Sequence, residues 1–334
     1  MKAQQIIFPT PGVVELEEFD FNIADLGNTD IAIETEFSIV SAGTELAILE
    51  GIESWAPLPF VPGYGSVGEI IAIGKSIQQF EIGDRVFTFG KHASHGLTSI
   101  LTLPIPDGLD SLETVISRMA AVSITANRVS QAELGDYVSV FGLGLVGNLS
   151  AQLFTLSGCE VIGIDMSQPR LDLAKKCGIK HVINPLEEDT NEVIANITNG
   201  DMCSSVIEAT GVPSVAEQAI RYAGELGELI LLGSPREDYQ SNLTDFLKRS
   251  HLISHGCITI KGALEWRFPI NKSALSKHSI EKNLEIIFKL ILHNKLNVTN
   301  LITHVLAPSK CKEAYKGLKY NKDEFIGVIF DWKK

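Results

Sequence analysis

The chain has 334 residues, of which 45% are hydrophobic and 21% are charged, and its formal net charge is −13. This composition excludes a disordered chain, and the length exceeds the size at which one hydrophobic core usually stops growing, so we expect two domains. The negative charge argues against nucleic acid as a partner, because sequence-independent affinity for nucleic acid comes from Lys and Arg side chains.

The chain starts with MKAQQIIFPTPGVV, which has only a few apolar residues before two prolines. A secretory signal needs a longer apolar run, and no other run approaches the length of a membrane span. We therefore expect a cytoplasmic protein without a membrane partner. The five cysteines lie far apart and form no C-x-x-C pair, which indicates buried thiols and no disulfide framework.

The first hundred residues predict a β-rich module. Strand-like segments such as residues 30–40 and 69–73 are separated by Gly and Pro turns, and few helical patterns occur among them.

From about Leu134 onward, short β-branched runs alternate with helical stretches. The predicted strands cover residues 137–141, 160–165, 181–184, 204–209 and 228–233. The predicted helices cover residues 147–157, 167–178, 187–199 and 213–224. Strands and helices that alternate at this spacing predict a parallel sheet covered on both faces, which is a doubly wound α/β domain.

Toward the C-terminus, Ile280, Leu284, Ile287 and Ile291 mark one face of a helix, and residues 301–306 and 325–330 look like strands again. We therefore expect the tail to return to the β-rich module. The predicted division assigns residues 1–117 and 299–334 to the β-rich domain and residues 118–298 to the α/β domain.

The most specific motif is a glycine loop between the first predicted strand and helix of the α/β domain. It contains Gly142, Gly144 and Gly147, with Leu145 and Val146 between the last two. The first glycine allows a tight turn, the second lets backbone N–H groups approach a pyrophosphate, and the third lets the helix pack close to the sheet. The positive end of the helix then faces the phosphates, so the loop predicts a dinucleotide site.

Asp165 ends the second predicted strand, where a carboxylate can accept hydrogen bonds from the adenosine ribose hydroxyls and repel a 2′-phosphate. This favours NAD(H) over NADP(H). Two alternatives stay open: Asp165 only caps the next helix, or nearby Arg170 binds a phosphate.

A second G-x-G-x-x-G pattern runs from Gly63 to Gly68. It follows a proline-rich turn and continues into a β-like segment, so it offers no helix N-terminus to a phosphate. We do not interpret it as a nucleotide site.

The order of segments resembles the medium-chain dehydrogenase/reductase superfamily over nearly the whole chain. The segments are PGYGSVGE from Pro62, GDRVF from Gly83, the loop at Gly142 and EATG from Glu208. SAGTE from Ser41, the Pro-Gly-Tyr turn and FGKHA from Phe89 are similar to the subgroup of bacteriochlorophyllide hydroxyethyl dehydrogenase-like proteins.

The resemblance implies a GroES-like catalytic domain built from both chain ends, a Rossmann domain between them, and a cleft where nicotinamide meets substrate. It also implies a homodimer joined edge to edge through the nucleotide-domain sheets, with the edge strand near residues 252–260. The positions that it assigns to the cofactor are Gly142, Gly144, Leu145, Val146, Gly147, Asp165, Met166, Arg170, Thr210, Gly211, Gly233 and Ser234.

The zinc ligands of many relatives are missing here. Where those relatives carry a Cys and then a His-Glu pair, this chain has Ala42, Tyr64 and Gly65, and it lacks the four closely spaced cysteines of a structural zinc lobe. We expect no zinc. The pair of His92 and His95 is a possible replacement, but two imidazoles alone make a poor tetrahedral site.

Without a metal ion, hydrogen-bond donors must stabilise the negative charge that develops on the substrate oxygen. By the resemblance, Thr44 stands where relatives carry the hydroxyl that bonds the substrate, and Tyr64 faces the same spot. Lys91 or His92 could complete the donor set or move a proton. Each has a structural alternative: Thr44 stabilises its turn, Tyr64 fills the volume of the metal, and the histidine is an ordinary buried one. Glu45 is expected to pair with a structural partner.

Three hypotheses remain. The first is an NAD-dependent, zinc-free enzyme acting on a small-molecule secondary alcohol or ketone, and we prefer it. The second is an NADPH-dependent enone or quinone-type reductase. The third is a nucleotide-binding sensor or assembly protein whose catalytic site has decayed.

Overall fold

Two units make up the computed structural model, which describes residues 1–98 and 100–334. The first unit contains Met1–Arg118, Pro269–Asn294 and Leu301–Lys334, and the second contains Met119–Phe268 and Lys295–Asn300.

In chain order the strands are β1 (Lys2–Ile7), β2 (Glu15–Asp20), β3 (Ile31–Ile39), β4 (Ser66–Ile73), β5 (Arg85–Thr88), β6 (His95–Thr98), β7 (Thr102–Pro104), β8 (Tyr137–Phe141), β9 (Glu160–Ile164), β10 (His181–Ile183), β11 (Cys203–Glu208), β12 (Ala223–Leu231), β13 (Thr259–Gly262), β14 (Ile302–Leu306) and β15 (Gly327–Asp331). The helices are α1 (Ala42–Leu49), α2 (Ser111–Val115), α3 (Ser117–Val129), α4 (Leu145–Leu156), α5 (Gln168–Lys176), α6 (Thr190–Ile197), α7 (Pro213–Ala219), α8 (Leu243–His251), α9 (Ile280–Leu292) and α10 (Cys311–Tyr320).

The second unit is built on a six-stranded parallel sheet in the order β10-β9-β8-β11-β12-β13. This order reverses direction at β8, as in a Rossmann fold. Val138, Val140 and Ile207 have no exposed surface, because a parallel sheet is buried on both faces and its strands therefore consist of β-branched and apolar residues. The predicted doubly wound domain is confirmed.

The predicted position of the edge strand of this sheet was wrong. The edge strand β13 covers Thr259–Gly262 and pairs with β12, whereas most of the segment 252–260 continues from α8 into a short 3-10 turn at Ile253–His255. The turn ends at Gly256, whose φ of 104° places it in the left-handed region that glycine adopts without strain. The edge-to-edge dimer stays a prediction.

The first unit contains a mostly antiparallel sheet in the order β14-β15-β3-β4-β5-β7, with β6 also paired to β3. β15 from the C-terminal tail lies against β3, with Ile329 opposite Ile39. The expectation that the tail returns to the β-rich module is therefore confirmed, and this unit is the GroES-like domain of the predicted fold class.

The first unit also includes α9, which the predicted division had placed in the α/β domain. The helix buries Ile280, Leu284, Ile287 and Ile291, which is the face that the sequence predicted. Its Phe288 ring lies 5.8 Å from the ring of Phe87 in β5, so the apolar face packs in the β-rich unit. Helical periodicity shows which face is buried but not which domain buries it.

Among the described residues, no helix combines the length and the apolar character needed to cross a membrane.

Candidate functional site

The turn between β8 and α4 has the geometry that a dinucleotide needs. Gly142 adopts a φ of 88°, and a Cβ on Gly147 would lie 1.8 Å from the carbonyl oxygen of Gly142, so both positions require glycine. Gly144 is the N-cap of α4, no side chain caps its helix, and a Cβ on it would meet no atom within 4 Å. The first N–H groups of α4, at Leu145 and Val146, are left without a side-chain cap, as in anion-binding helix starts.

Asp165 follows β9 and lies beside this loop. Its Oδ2 accepts a hydrogen bond from the backbone N–H of Leu143 at 2.7 Å, and its Oδ1 accepts one from Ser167 at 2.9 Å. Arg170 lies 3.6 Å from the same carboxylate, and Met166 is 65% exposed. The carboxylate thus fixes the glycine loop, and because each oxygen can accept more than one hydrogen bond, it retains acceptor capacity for ribose hydroxyls.

The two loops that follow β11 and β12 lie in contact with each other. A Cβ on Gly211 would lie 2.7 Å from the carbonyl oxygen of Ser234, and one on Gly233 would lie 2.2 Å from the backbone nitrogen of Gly211. Glu208, which sequence reasoning quoted in the EATG motif but gave no role, accepts hydrogen bonds from the backbone of Thr210 at 2.7 Å and of Gly211. Burial raises the pKa of the Glu208 carboxyl, and these hydrogen bonds oppose that effect.

All predicted nucleotide residues therefore lie in the second unit at the carboxyl ends of β8, β9, β11 and β12. Open α/β sheets bind their ligands at this edge, next to the strand where the order reverses. The residues present fit a dinucleotide.

In the first unit, three hydroxyl groups meet at the start of α1. The Tyr64 phenol donates a hydrogen bond to Oγ of Ser41, which is the N-cap of α1 but does not cap the helix with its side chain. Burial, the largest effect, raises the pKa of the phenol, while the hydroxyls of Ser41 and Thr44 are among the groups that lower it. The structure thus brings Thr44 and Tyr64 together, and it adds Ser41, for which sequence reasoning had no role.

His92 occupies a different environment. Its side chain is fully buried, with Nε2 3.0 Å from Oε2 of Glu45 and Nδ1 2.7 Å from Oγ of Ser38. The indole N–H of Trp332 donates to the same Oγ, so the Ser38 hydroxyl can donate its own proton to Nδ1 of His92. The Nε2–H of His92 then donates to the Glu45 carboxylate. The contacts correspond to the structural alternative for His92, since both ring nitrogens have buried partners, Ser38 and Glu45. His95 has another partner, Ser94, and Lys91 is exposed.

Glu45 has the structural partners that the sequence led us to expect. Its Oε2 also accepts a hydrogen bond from Tyr315 at 2.5 Å, and its Oε1 accepts one from the backbone of Ser41 at 2.8 Å. The carboxylate is 1% exposed and joins α1 to α10 and to the segment of His92.

Arg118 lies against Tyr64 and was missed by sequence reasoning. Its guanidinium carbon lies 4.5 Å from the centre of the Tyr64 ring and 4.4 Å from that of Phe89, and its Nε donates to the carbonyl oxygen of Tyr64 at 3.0 Å. The side chain is 1% exposed. The only signal in the sequence was a charged residue at the start of an apolar helix.

The positions that correspond to the Cys and to the His-Glu pair of zinc-containing relatives do not offer zinc donors. Ala42 supplies a methyl group, Tyr64 supplies a phenol bonded to Ser41, and Gly65 supplies no side chain. The Arg118 guanidinium beside Tyr64 would also repel a divalent cation. In the described part of the chain, no three His, Cys, Asp or Glu residues are grouped to hold a metal ion. These residues do not fit a catalytic zinc ion.

Comparison with known proteins gives two family matches. The model of the alcohol dehydrogenase GroES-like domain matches residues 27–108, and that of zinc-binding dehydrogenases matches residues 146–267.

Similar proteins match over almost their full length. An L-threonine 3-dehydrogenase of Vibrio cholerae is 24% identical over 100% of this chain and 99% of its own. The structure of galactitol-1-phosphate dehydrogenase from Escherichia coli is 19% identical with a TM-score of 0.84, covering 98% of this chain and 99% of that one. A Sinorhizobium meliloti structure described as a zinc-binding dehydrogenase bound to NADP is 17% identical with a TM-score of 0.81, covering 99% of each chain. At these identities the two structures establish the shared fold.

Proposed function

Because the chain belongs to the medium-chain dehydrogenase/reductase superfamily, we propose that it transfers a hydride between NAD(H) and a small-molecule secondary alcohol or ketone without catalytic zinc. The observation that carries this proposal is the open glycine loop. Gly144 has no atom within 4 Å of a Cβ position, and it begins a helix without a side-chain cap. Backbone N–H groups at such a helix start bind a diphosphate.

The preference for NAD(H) rests on Asp165. Its carboxylate is held by Leu143 and Ser167, so it cannot swing away to admit a 2′-phosphate without breaking both hydrogen bonds. Repulsion between two anions then disfavours NADP(H). When bound, the nicotinamide supplies or accepts the hydride.

The donors for the substrate oxygen are the hydroxyls of Tyr64 and Thr44. Burial raises the pKa of the Tyr64 phenol, so it keeps its proton at neutral pH and can donate a hydrogen bond to a carbonyl oxygen as negative charge develops there. Ser41 orients the phenol in the absence of substrate. His92 is not part of this set, because both of its ring nitrogens are bonded.

The first test is the choice of cofactor. We expect NADH to raise the melting temperature more than NADPH does at equal concentration, because a ligand present at roughly 100 times its Kd stabilises the folded state by about 2.7 kcal/mol. Differential scanning fluorimetry measures this, and oxidation of NADH in the presence of small ketones measures turnover. Preference for NADPH with reduction of enones would replace the proposal with the enone reductase hypothesis. Tight binding without any turnover would favour the sensor hypothesis.

The second test concerns the metal. Protein purified without chelator is expected to contain no stoichiometric zinc, because Ala42, Tyr64 and Gly65 offer no thiolate, imidazole or carboxylate. Elemental analysis by mass spectrometry measures the content. One equivalent of zinc per chain would contradict the zinc-free part of the proposal and leave the nucleotide part untouched.

A further inference from the structure

We propose that Arg118 is a positioning residue that acts through Tyr64: it fixes the phenol ring and places a permanent positive charge behind it, in the role that a metal ion has elsewhere in the superfamily. The inference rests on the proposed function, because it assigns a charge to the same hydroxyl cluster. Its evidence is the contact of a buried guanidinium with two aromatic rings.

The guanidinium of Arg118 is held between two ring faces. Its carbon lies within 4.5 Å of the centres of both the Tyr64 and Phe89 rings. A cation over an aromatic face is attracted by the ring quadrupole, and the attraction increases when water is excluded, as it is for a side chain that is 1% exposed. The additional hydrogen bond from Nε to the Tyr64 carbonyl oxygen fixes the backbone of the same residue.

Gly65 makes room for this arrangement. A Cβ on Gly65 would lie 2.5 Å from Cγ and 2.7 Å from Cβ of Arg118. These are the rigid first atoms of the arginine side chain, so they cannot give way without moving the guanidinium. The departure from the His-Glu pair of zinc-containing relatives therefore has two linked parts: Tyr64 replaces the histidine ligand, and Gly65 replaces the glutamate next to it and leaves room for Arg118.

The charge of Arg118 acts on the phenol that faces it. Burial is the largest effect on the pKa of Tyr64 and raises it, and Glu45 raises it further. Arg118 lowers this pKa, as do Ser41 and Thr44. A positive charge in a site with little water also stabilises negative charge on an oxygen that accepts a hydrogen bond from the phenol. Arg118 thus contributes to proton donation without touching the substrate.

The experiment measures the ionisation of the Tyr64 phenol directly. Tyr64 is replaced by a difluorotyrosine, whose phenol ionises near neutral pH, and its fluorine NMR signal is titrated in the full-length protein. Adding Arg118→Gln should move the transition to higher pH, because the cation that favours the phenolate is lost. Arg118→Lys, which keeps the charge, should restore part of the shift. Arg128→Gln, on the same helix, is the matched control and should leave the transition in place.

A second variant covers the case in which Arg118→Gln does not fold. Gly65→Ala keeps the arginine but displaces it, so it should move the fluorine transition in the same direction. A transition that is unchanged in whichever of the two variants folds overturns the inference.

Activity separates this inference from the proposed function. With NADH and a small ketone such as acetoin, Arg118→Gln should lower kcat/KM roughly tenfold, less than the loss of a donor that bonds the oxyanion directly, while its affinity for NADH stays that of the wild type. If the wild type reduces no ketone, the proposed function fails and the catalytic role of Arg118 fails with it. If the wild type turns over and Arg118→Gln matches it in both kcat/KM and titration, only the inference about Arg118 fails.

Discussion

A Gly144→Ala variant is expected to fold like the wild type and to lose most of its affinity for NADH. The φ of −63° at Gly144 suits alanine, and the added methyl group would meet no protein atom within 4 Å, so the melting temperature should not change. The methyl group would stand in the space through which a diphosphate approaches the N–H groups of α4. Loss of one charge-assisted hydrogen bond corresponds to about 1.5–3 kcal/mol, or roughly a 10- to 100-fold weaker Kd.

Isothermal titration calorimetry with NADH measures this loss, and two other glycines of the same unit give the comparison. Gly262→Ala in β13 also meets no atom, and it should change neither stability nor affinity. Gly147→Ala should instead destabilise the fold, because its Cβ would clash with the carbonyl oxygen of Gly142. Wild-type affinity for NADH in Gly144→Ala would remove the glycine loop from the proposed site.

The nucleotide site in the second unit was predictable because its sequence signals are local. The loop at Gly142 follows a buried strand and opens a helix, and the structure has both β8 and α4 in place. The second copy of the pattern, at Gly63–Gly68, leads into β4, as its apolar continuation indicated. There Gly63 allows close packing of the backbone, since a Cβ on it would lie 2.5 Å from the backbone nitrogen of His92.

The proposed catalytic site in the first unit was predictable only in part, because its contacts join distant parts of the sequence. Thr44 and Tyr64 were found through the family resemblance, but Tyr64 and Arg118 are 54 positions apart, and no spacing rule connects them. Glu45 and Tyr315 are 270 positions apart. Such pairs depend on how α1, α10 and the segment of Arg118 pack within the first unit, and one sequence contains no periodic signal for that packing.

The boundary of the first unit shows the same limit. The 3.6-residue period predicted the buried face of α9 correctly, whereas the helix groups with the first unit and not with the α/β unit to which the sequence had assigned it. An amphipathic helix packs equally well on any apolar surface, so its partner, here the ring of Phe87, is decided by chain topology.

A Glu45→Ala variant should be strongly destabilised. Its carboxylate is 1% exposed and accepts hydrogen bonds from His92, Tyr315 and the backbone of Ser41. Truncation leaves three buried donors without an acceptor, and removing one partner from a buried network of this kind costs about 3–5 kcal/mol. Urea denaturation measures the free energy of unfolding.

Two further variants determine whether the buried network is the cause. Tyr315→Phe removes one of the donors and should cost about 2 kcal/mol, since its hydroxyl bonds a carboxylate. Glu313→Ala removes a carboxylate whose ion pair with Lys310 lies at the surface, and it should leave the unfolding free energy unchanged. A Glu45→Ala protein as stable as Glu313→Ala would mean that the cluster around His92 does not hold α1 and α10 together. The structural interpretation of His92 would then lose its support, and a role for its imidazole in proton transfer would have to be considered again.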